Sequence, residues 1–516
     1  MPGPAASGAQ ARRLMPTDTP RIGINSDPLP LPASAAPGDA AVSPTFFQQD
    51  NTKNPAASNS VESSPSGSEV GKYADLGFGK RLAKSYFDKK EESEQDPASP
   101  NKRPGMPVPF ATKSPPFPFQ EHIGPNIGVN DASVYPLMEA LYNGPNGQKW
   151  KDSRLKIYGW LDPSYTFGTS RRSNIPLAYN IKPNSLQLSQ AIVIFERSLD
   201  TVQQDHFDYG FKATNLYGID YRYTTAKGYF SNQLLKHNHL YGYDPLQLYM
   251  DFYFPKLAQG TILRIGRYIS PIDIEAQLSP ENYLYSHSIM YGYDPYTFTG
   301  VQFTFKLSNQ WTLMVGAHAG NDMAPWTKSS QANGEILLKW VSKDGKDSLF
   351  GGVDSIGKGY YSNQHDNLQV VAGTWSHKFN ERFHTLTEVY YLFERSALKG
   401  GTVTNGPPDS YNTNTGPGPK IPGLSSAVGF VNYTAYALSD KAYAVLRNSI
   451  LYDPQGFRTG YNNFYDEVTL GLAYHITPYL LFRPEIRYER GFNNPAYDNG
   501  TKKDQYTTSA DLIFRF

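Results

Sequence analysis

The tetrad Tyr285, Ser286, His287, Ser288 sets two hydroxyls beside an imidazole, the ingredients of a nucleophile and its base. Acyl transfer needs that hydroxyl in hydrogen-bond contact with the ring, and a third group to orient the ring. Neighbouring side chains on extended backbone point apart, so the tetrad does not build the pair by itself. Partners would have to come from distant His318, His384 or His475, which leaves a lipase-type hydrolase as a minor reading. The run HNH at 237–239 and the other histidines stand at no metal-ligand spacing, and the chain has no cysteine, so no metal site is expected. No glycine-rich loop opens a helix to cradle a phosphate, and no cofactor is expected. A net charge of +1 gives no footprint for nucleic acid.

The stronger signal is a ladder of charge. In YLLFRPEIRYERG, Phe482, Pro484, Ile486 and Tyr488 share one strand face, opposite Arg483, Glu485, Arg487 and Glu489. HFDYGFKATNLYGIDYRYTT does the same, with Phe207, Tyr209, Phe211 and Ala213 against Asp208, Gly210, Lys212 and Thr214. Continued to its end, that register sets Tyr217, Ile219, Tyr221 and Tyr223 outward and Asp220 and Arg222 inward. One aromatic-rich apolar face and one continuously charged face is the pattern of a barrel with lipid outside and water within.

Such ladders need strands to carry them. Period-two segments fall at 154–167, 186–197, 207–224, 246–255, 260–268, 297–307, 311–320, 334–342, 347–356, 368–378, 383–395, 428–438, 442–450, 465–475, 479–489 and 506–516, which is sixteen. The segments 334–342 and 347–356 are the weakest, and without them the count is fourteen. Short polar links such as 308–310, 379–382 and 439–441 alternate with long Gly-, Asn- and Tyr-rich ones such as 269–296 and 397–427. That asymmetry predicts an all-β, transmembrane, antiparallel up-and-down barrel, with tight periplasmic turns and long external loops. The composition agrees: 14% aromatic and 18% charged, with a mean hydropathy of -0.52 and no run of about 18 apolar residues to form a membrane helix.

Residues 1–130 differ in character. PRIGINSDPLPLPASAAPGDAAVSP and RPGMPVPFATKSPPFPF flank the charged run KRLAKSYFDKKEESEQD. Sequence so rich in Pro, Ser and Ala buries too little apolar surface to offset ordering, and a disordered extension is expected, with the charged run a solvated transient helix. Residues 131–153 are expected to form a short helical or irregular segment at the barrel mouth, and 154–516 the barrel. Met1 is followed by PGPAASGAQARRLM, which has no apolar h-region, while a barrel of this type must be exported. The expectation is a start placed further upstream, or a leader already removed.

The chain closes on DLIFRF. Phe514 and Phe516 alternate with Arg515, so the last strand should stay paired to its end and seal the barrel against the first. Phe514 and Phe516 then face lipid at the periplasmic interface, and Arg515 and Asp511 face the lumen. A terminal aromatic strand of this kind also resembles the signal read by the outer-membrane assembly machinery.

Four stretches resemble one family. GRYISPIDIEAQLSPENYLYSHSIMYGYDPYTFTG (266–300), FERSLD (195–200), DYGFKATNLYGIDYRYT (208–224) and ITPYLLFRPEIRYE (476–489) are similar to the putative beta-barrel porin-2, OmpL-like family of bacterial outer membranes. In the first stretch Gly266, Pro271, Ile272, Glu275, Asn282, Tyr285, Ser286, His287, Ser288, Thr299 and Gly300 match the family pattern. Asp273 and Phe298 stand where that pattern has Gly and His. The resemblance covers 154–516 and implies a porin-type barrel more strongly than any given solute.

Sixteen strands enclose an interior too wide for side chains to fill, so a water-filled channel for small hydrophilic solutes is expected. The inward face would carry Lys212, Arg222, Arg264, Lys306, Arg483, Arg487 and Arg515 with Asp208, Asp220, Asp251, Glu388, Glu394, Glu467, Glu485, Glu489 and Asp511. The signs are mixed, which gives no strong ion preference, and structural ion pairs between strands are the simpler role for most of them. The loop 269–296 is the candidate constriction, through Asp273, Glu275, Glu281, Tyr285 and His287, with an external cap as its other placement. Its Tyr283, Tyr285, Tyr291, Tyr293 and Tyr296 are expected at the membrane interface rather than along a sugar path. Lipid, solute and the assembly machinery are the expected partners; a homo-oligomer is compatible with the pattern, though no flat apolar subunit face is marked. The alternative is a non-conducting barrel, plugged by part of 100–152, that serves as an anchor, adhesin or assembly partner.

Overall fold

A computed structural model describes residues 71–87, 127–129, 135–401 and 418–516. The expected disorder of 1–130 falls almost wholly outside the described residues. Sixteen antiparallel strands close into one barrel, each paired with its neighbours in sequence and the last with the first. They are β1 (Leu155–Gly168), β2 (Ser185–Arg197), β3 (Asp208–Gly218), β4 (Gly242–Phe254), β5 (Thr261–Ile269), β6 (Thr297–Lys306), β7 (Trp311–Asn321), β8 (Asn333–Val341), β9 (Asp347–Gly357), β10 (Gln369–Lys378), β11 (Phe383–Arg395), β12 (Leu424–Ser439), β13 (Ala442–Asp453), β14 (Asn463–Thr477), β15 (Leu480–Gly491) and β16 (Asp504–Arg515). The seam pairs Leu161 with Phe514 and Ser164 with Asp511, and closure leaves the sheet without a free edge.

Alternation sets the two faces. On β15, Phe482 and Ile486 are exposed on the outside while Arg483, Glu485, Arg487 and Glu489 are buried inside. On β16, Leu512 and Phe514 face out and Ser509 and Asp511 face in. The outer surface carries Leu248, Ile265, Val301, Ile336, Val389, Leu446 and Leu470, with Trp311, Trp375, Phe379 and Tyr436 beside the short turns. This apolar band edged by aromatic residues is what a hydrocarbon layer bounded by two interfaces selects.

One expected strand overruns. The segment 207–224 is extended only to Gly218; a helical turn, Tyr221–Thr224, follows, closed by Thr225 N–H on Tyr221 O at 2.9 Å. Ile219, Tyr221 and Tyr223 are therefore buried beneath the loops instead of facing lipid. Arg222 is likewise outside the strand ladder, its guanidinium donating to His239 O at 2.6 Å and Asn238 Oδ1 at 2.8 Å.

Three short helices gather on the side of the short turns. They are α1 (Phe78–Phe87), α2 (Pro136–Tyr142) and α3 (Gly147–Ser153). Tyr135 stacks at 4.0 Å on inward-facing Tyr158, and Ile127 packs against inward-facing Tyr253 and Ile262. Arg81 Nε donates to Ala140 O at 2.9 Å, and Tyr86 stacks at 5.3 Å on Phe514 of the terminal strand.

Candidate pore and constriction loop

The link between β5 and β6, residues 270–296, turns into the barrel and is buried along nearly its whole length. A buried irregular segment carries backbone carbonyls that no ladder satisfies, and each needs a donor. The wall and the β13–β14 link supply arginines. Arg483 Nη1 donates to Ser279 O at 2.7 Å and to Asn282 O at 2.8 Å. Arg515 Nη2 donates to Pro280 O at 3.2 Å, and Arg458 Nε to Tyr293 O at 2.7 Å. Arg447 reaches Ser286 O, and Arg487 reaches His287 O. These cations thus hold the loop.

Carboxylates neutralise the arginines of the wall. Arg447 pairs with Glu467 at 2.9 Å, Arg487 with Glu489 at 2.6 Å, and Arg264 with Asp251 at 2.9 Å. Arg483 pairs with Asp511 across the β15–β16 ladder. Around the loop the wall groups are fully withdrawn from solvent: Arg447, Glu467 and Glu489 are all 0% exposed. A pair so buried persists because its leftover donors are also used, and here the loop carbonyls use them.

Carboxylates of the loop and of the wall complete the attachment. Glu275 accepts from Ser288 N–H at 2.9 Å and from Tyr433, and lies 3.4 Å from Arg447. Glu485 accepts from Ser286 N–H at 3.1 Å, and Glu388 from Ile274 N–H at 2.7 Å. Asn282 closes the loop on itself through Ala276, donating to its carbonyl at 2.7 Å and accepting from its N–H at 2.8 Å. Apolar residues finish the contact: Ile274, Leu278, Leu284 and Met290 join Trp160, Leu386, Tyr390 and Val431 of the wall in one cluster.

The loop tyrosines are neither interfacial nor free to stack on a sugar. Tyr283, Tyr285, Tyr291, Tyr293 and Tyr296 are all buried, because the loop enters the lumen and carries them with it. Tyr283 Oη meets His384 Nε2 at 2.7 Å, and Tyr285 donates to Ser164 at 3.0 Å. His287 lies between Tyr179, at 4.1 Å, and Tyr291, at 4.4 Å. Burial and then the nearby arginines push its pKa well down, which favours the neutral ring. Ser286 binds Arg447 at 2.9 Å and Ser288 binds Glu275, so within the tetrad no hydroxyl meets the imidazole.

Other predicted residues scatter. Asp208 sits by the short turns with Arg154 at 2.7 Å and Arg197 at 3.1 Å. Glu394 lies at the opposite end of the barrel, accepting from Asn367 N–H at 2.6 Å. Asp220 accepts from Gln190 at 3.0 Å, and Gln190 also donates to Gln277 O of the loop at 2.8 Å. Lys212 and Glu281 remain partly exposed. The inward set expected from the sequence lacks Arg447, although Tyr443, Val445 and Ser449 around it show by parity that it points inward. It also lacks Arg458 and its partner Asp366, at 2.9 Å, which lie in two loops where no period exists to read. Asp294 is absent too: it comes together with Asp273 and Glu388, one carboxylate oxygen of each within 4.8 Å of the others.

The sequence profile of the family described as putative beta-barrel porin-2, OmpL-like matches residues 154–516. No curated protein matches the chain in sequence. Solved structures similar to it include an anion-selective porin from Comamonas acidovorans, at 7% identity and TM-score 0.45, covering 70% of this chain and 99% of that one. The outer membrane channel DcaP of Acinetobacter baumannii is similar at 11% identity and TM-score 0.42, covering 70% and 97%. OmpT, an outer membrane protein of Vibrio cholerae in trimer form, is similar at 10% identity and TM-score 0.39, covering 70% and 99%.

Proposed function

This chain belongs to the putative beta-barrel porin-2, OmpL-like family of bacterial outer-membrane barrels, and on that premise we propose that it is a non-enzymatic diffusion porin for small hydrophilic solutes. Its constriction loop is the element that sets passage. The observation that carries this reading is the inward loop 270–296, held through its carbonyls by arginines of the wall and of the β13–β14 link. The loop and the wall join in one apolar cluster, which supports a loop that narrows the lumen. Solute passage follows the polar wall when the loop yields, and the paired wall charges leave no strong preference between anions and cations.

A second reading is favoured by one feature. Tyr135 and Ile127 pack on inward-facing residues near the short turns, so the segment before β1 also obstructs the barrel. In that reading the chain is a plugged barrel that serves as an anchor, adhesin or assembly partner. Single-channel recording of the refolded full chain in a planar bilayer separates the two. Reproducible conductance steps support the porin, and a salt gradient across the bilayer reads the ion preference. A folded, heat-modifiable barrel that stays silent in every trial, and stays silent after Arg447→Ala loosens the loop, overturns it in favour of the plug.

A further inference from the structure

Asp273 lies near the entry of the constriction loop, Asp294 near its exit, and Glu388 on β11 of the wall. One carboxylate oxygen of each lies within 4.8 Å of the other two, and all three residues are buried. Asp294 is 2% exposed, and beyond the carboxyl of Asp273 neither of its carboxylate oxygens has a hydrogen-bond partner, although one of them is turned into the cluster. The neighbouring cations are committed elsewhere: Arg458 to Asp366 at 2.9 Å and Arg447 to Glu467 at 2.9 Å. Three carboxylates this close and this far from water cannot all stay ionised without a compensating positive charge.

We propose that Asp273, Asp294 and Glu388 bind a single divalent cation, and that the cation ties both ends of the constriction loop to the barrel wall. An all-oxygen, carboxylate-rich donor set suits a hard ion, and calcium more than magnesium, because calcium accepts several protein oxygens in irregular geometry while magnesium keeps most of its water. Sequence spacing conceals this site, since its ligands come from both ends of a long loop and from a strand far along the chain. The inference deepens the reading of 270–296 as the element that sets passage, and rests on it. With the ion bound, the loop would be pinned at entry and exit, and removing the ion would free both ends.

The test uses the full chain, refolded in detergent free of lipopolysaccharide, with calcium chloride and magnesium chloride as separate probes. Equilibrium dialysis with elemental analysis is expected to give one calcium per chain. Calcium should raise the midpoint of thermal unfolding in a saturable way, and EDTA should reverse the rise. Asp294→Asn and Glu388→Gln should still give a heat-modifiable barrel but bind calcium at least tenfold more weakly. The proposal is overturned if the wild-type barrel retains no calcium, or if both variants bind it as the wild type does. It is also overturned if Asp294→Asn raises stability while the wild type ignores calcium, because the cluster then holds a shared proton. Binding is measured with no current flowing, so a barrel that binds calcium and stays silent in a bilayer refutes the pore and leaves the site standing.

Discussion

Replacing Arg447 by alanine should release the constriction loop while leaving the barrel closed. Its guanidinium is 0% exposed and contacts Glu467 at 2.9 Å, Ser286 Oγ at 2.9 Å and Thr469 at 3.1 Å. Removing one member of a buried, hydrogen-bonded ion pair costs about 3–5 kcal/mol, because the remaining carboxylate is left uncompensated. The backbone of β13 keeps its ladder with β14, so the loss falls on the loop, whose Ser286 carbonyl and Glu275 carboxylate lose their cation. At about 1.4 kcal/mol per factor of ten, loop release becomes easier by roughly a hundredfold to a few thousandfold. Hydrogen exchange across residues 286–296 reads this directly, and single-channel recording reads it as longer or larger openings. Arg264→Ala is the control: Arg264 pairs with Asp251 on β4 and β5 and makes no contact with the loop carbonyls, so it should leave exchange in 286–296 unchanged. Unaltered protection of 286–296 in a correctly folded Arg447→Ala barrel would refute the view that arginines hold the loop.

Gly429→Val should also displace the loop, since a Cβ there would lie 2.6 Å from the Tyr390 ring and 2.9 Å from Met290 Cβ; overpacking of about 1–3 kcal/mol predicts faster proteolysis within 270–296. Burial pushes the Asp322 carboxyl up to about 7. The folded chain therefore binds more protons than the unfolded one between the ordinary value of 3.8 and about 7, and stability falls as pH rises through that window. Denaturation midpoints compared across it should show the fall, and Asp322→Asn should flatten it; a wild-type profile that rises instead contradicts the assignment. Ile486→Lys puts a charge on the outward face of β15 and should cost about 2–4 kcal/mol if the residue sits near the bilayer centre, read by unfolding in lipid vesicles. Phe514→Ala, alone or with loss of Phe516, should slow assembly in the membrane more than it lowers final stability, and pulse-chase of heat-modifiable protein would show it.

Residue order by itself determined the barrel wall. Period-two alternation is local, and in 480–491 it sorts Phe482 and Ile486 from Arg483 and Arg487 whatever the rest of the chain does. All sixteen expected segments contain strands, and β8 and β9, the weakest by pattern, pair with each other through a register shift at Gly334–Ile336. Alternation misled at one place, because Tyr221 and Tyr223 continue the rhythm into a helical turn where spacing no longer reports a face. Parity also said that Arg483 and Arg487 point inward, but a strand's period cannot say what waits there. Tertiary structure alone decided that. Ser286 meets Arg447, and Asp273 and Asp294 meet Glu388, only because the closed wall brings residues more than 90 positions apart to one loop. A buried loop chooses its partners by satisfying carbonyls and carboxylates, and that requirement is written in three dimensions, with no period along the chain to betray it.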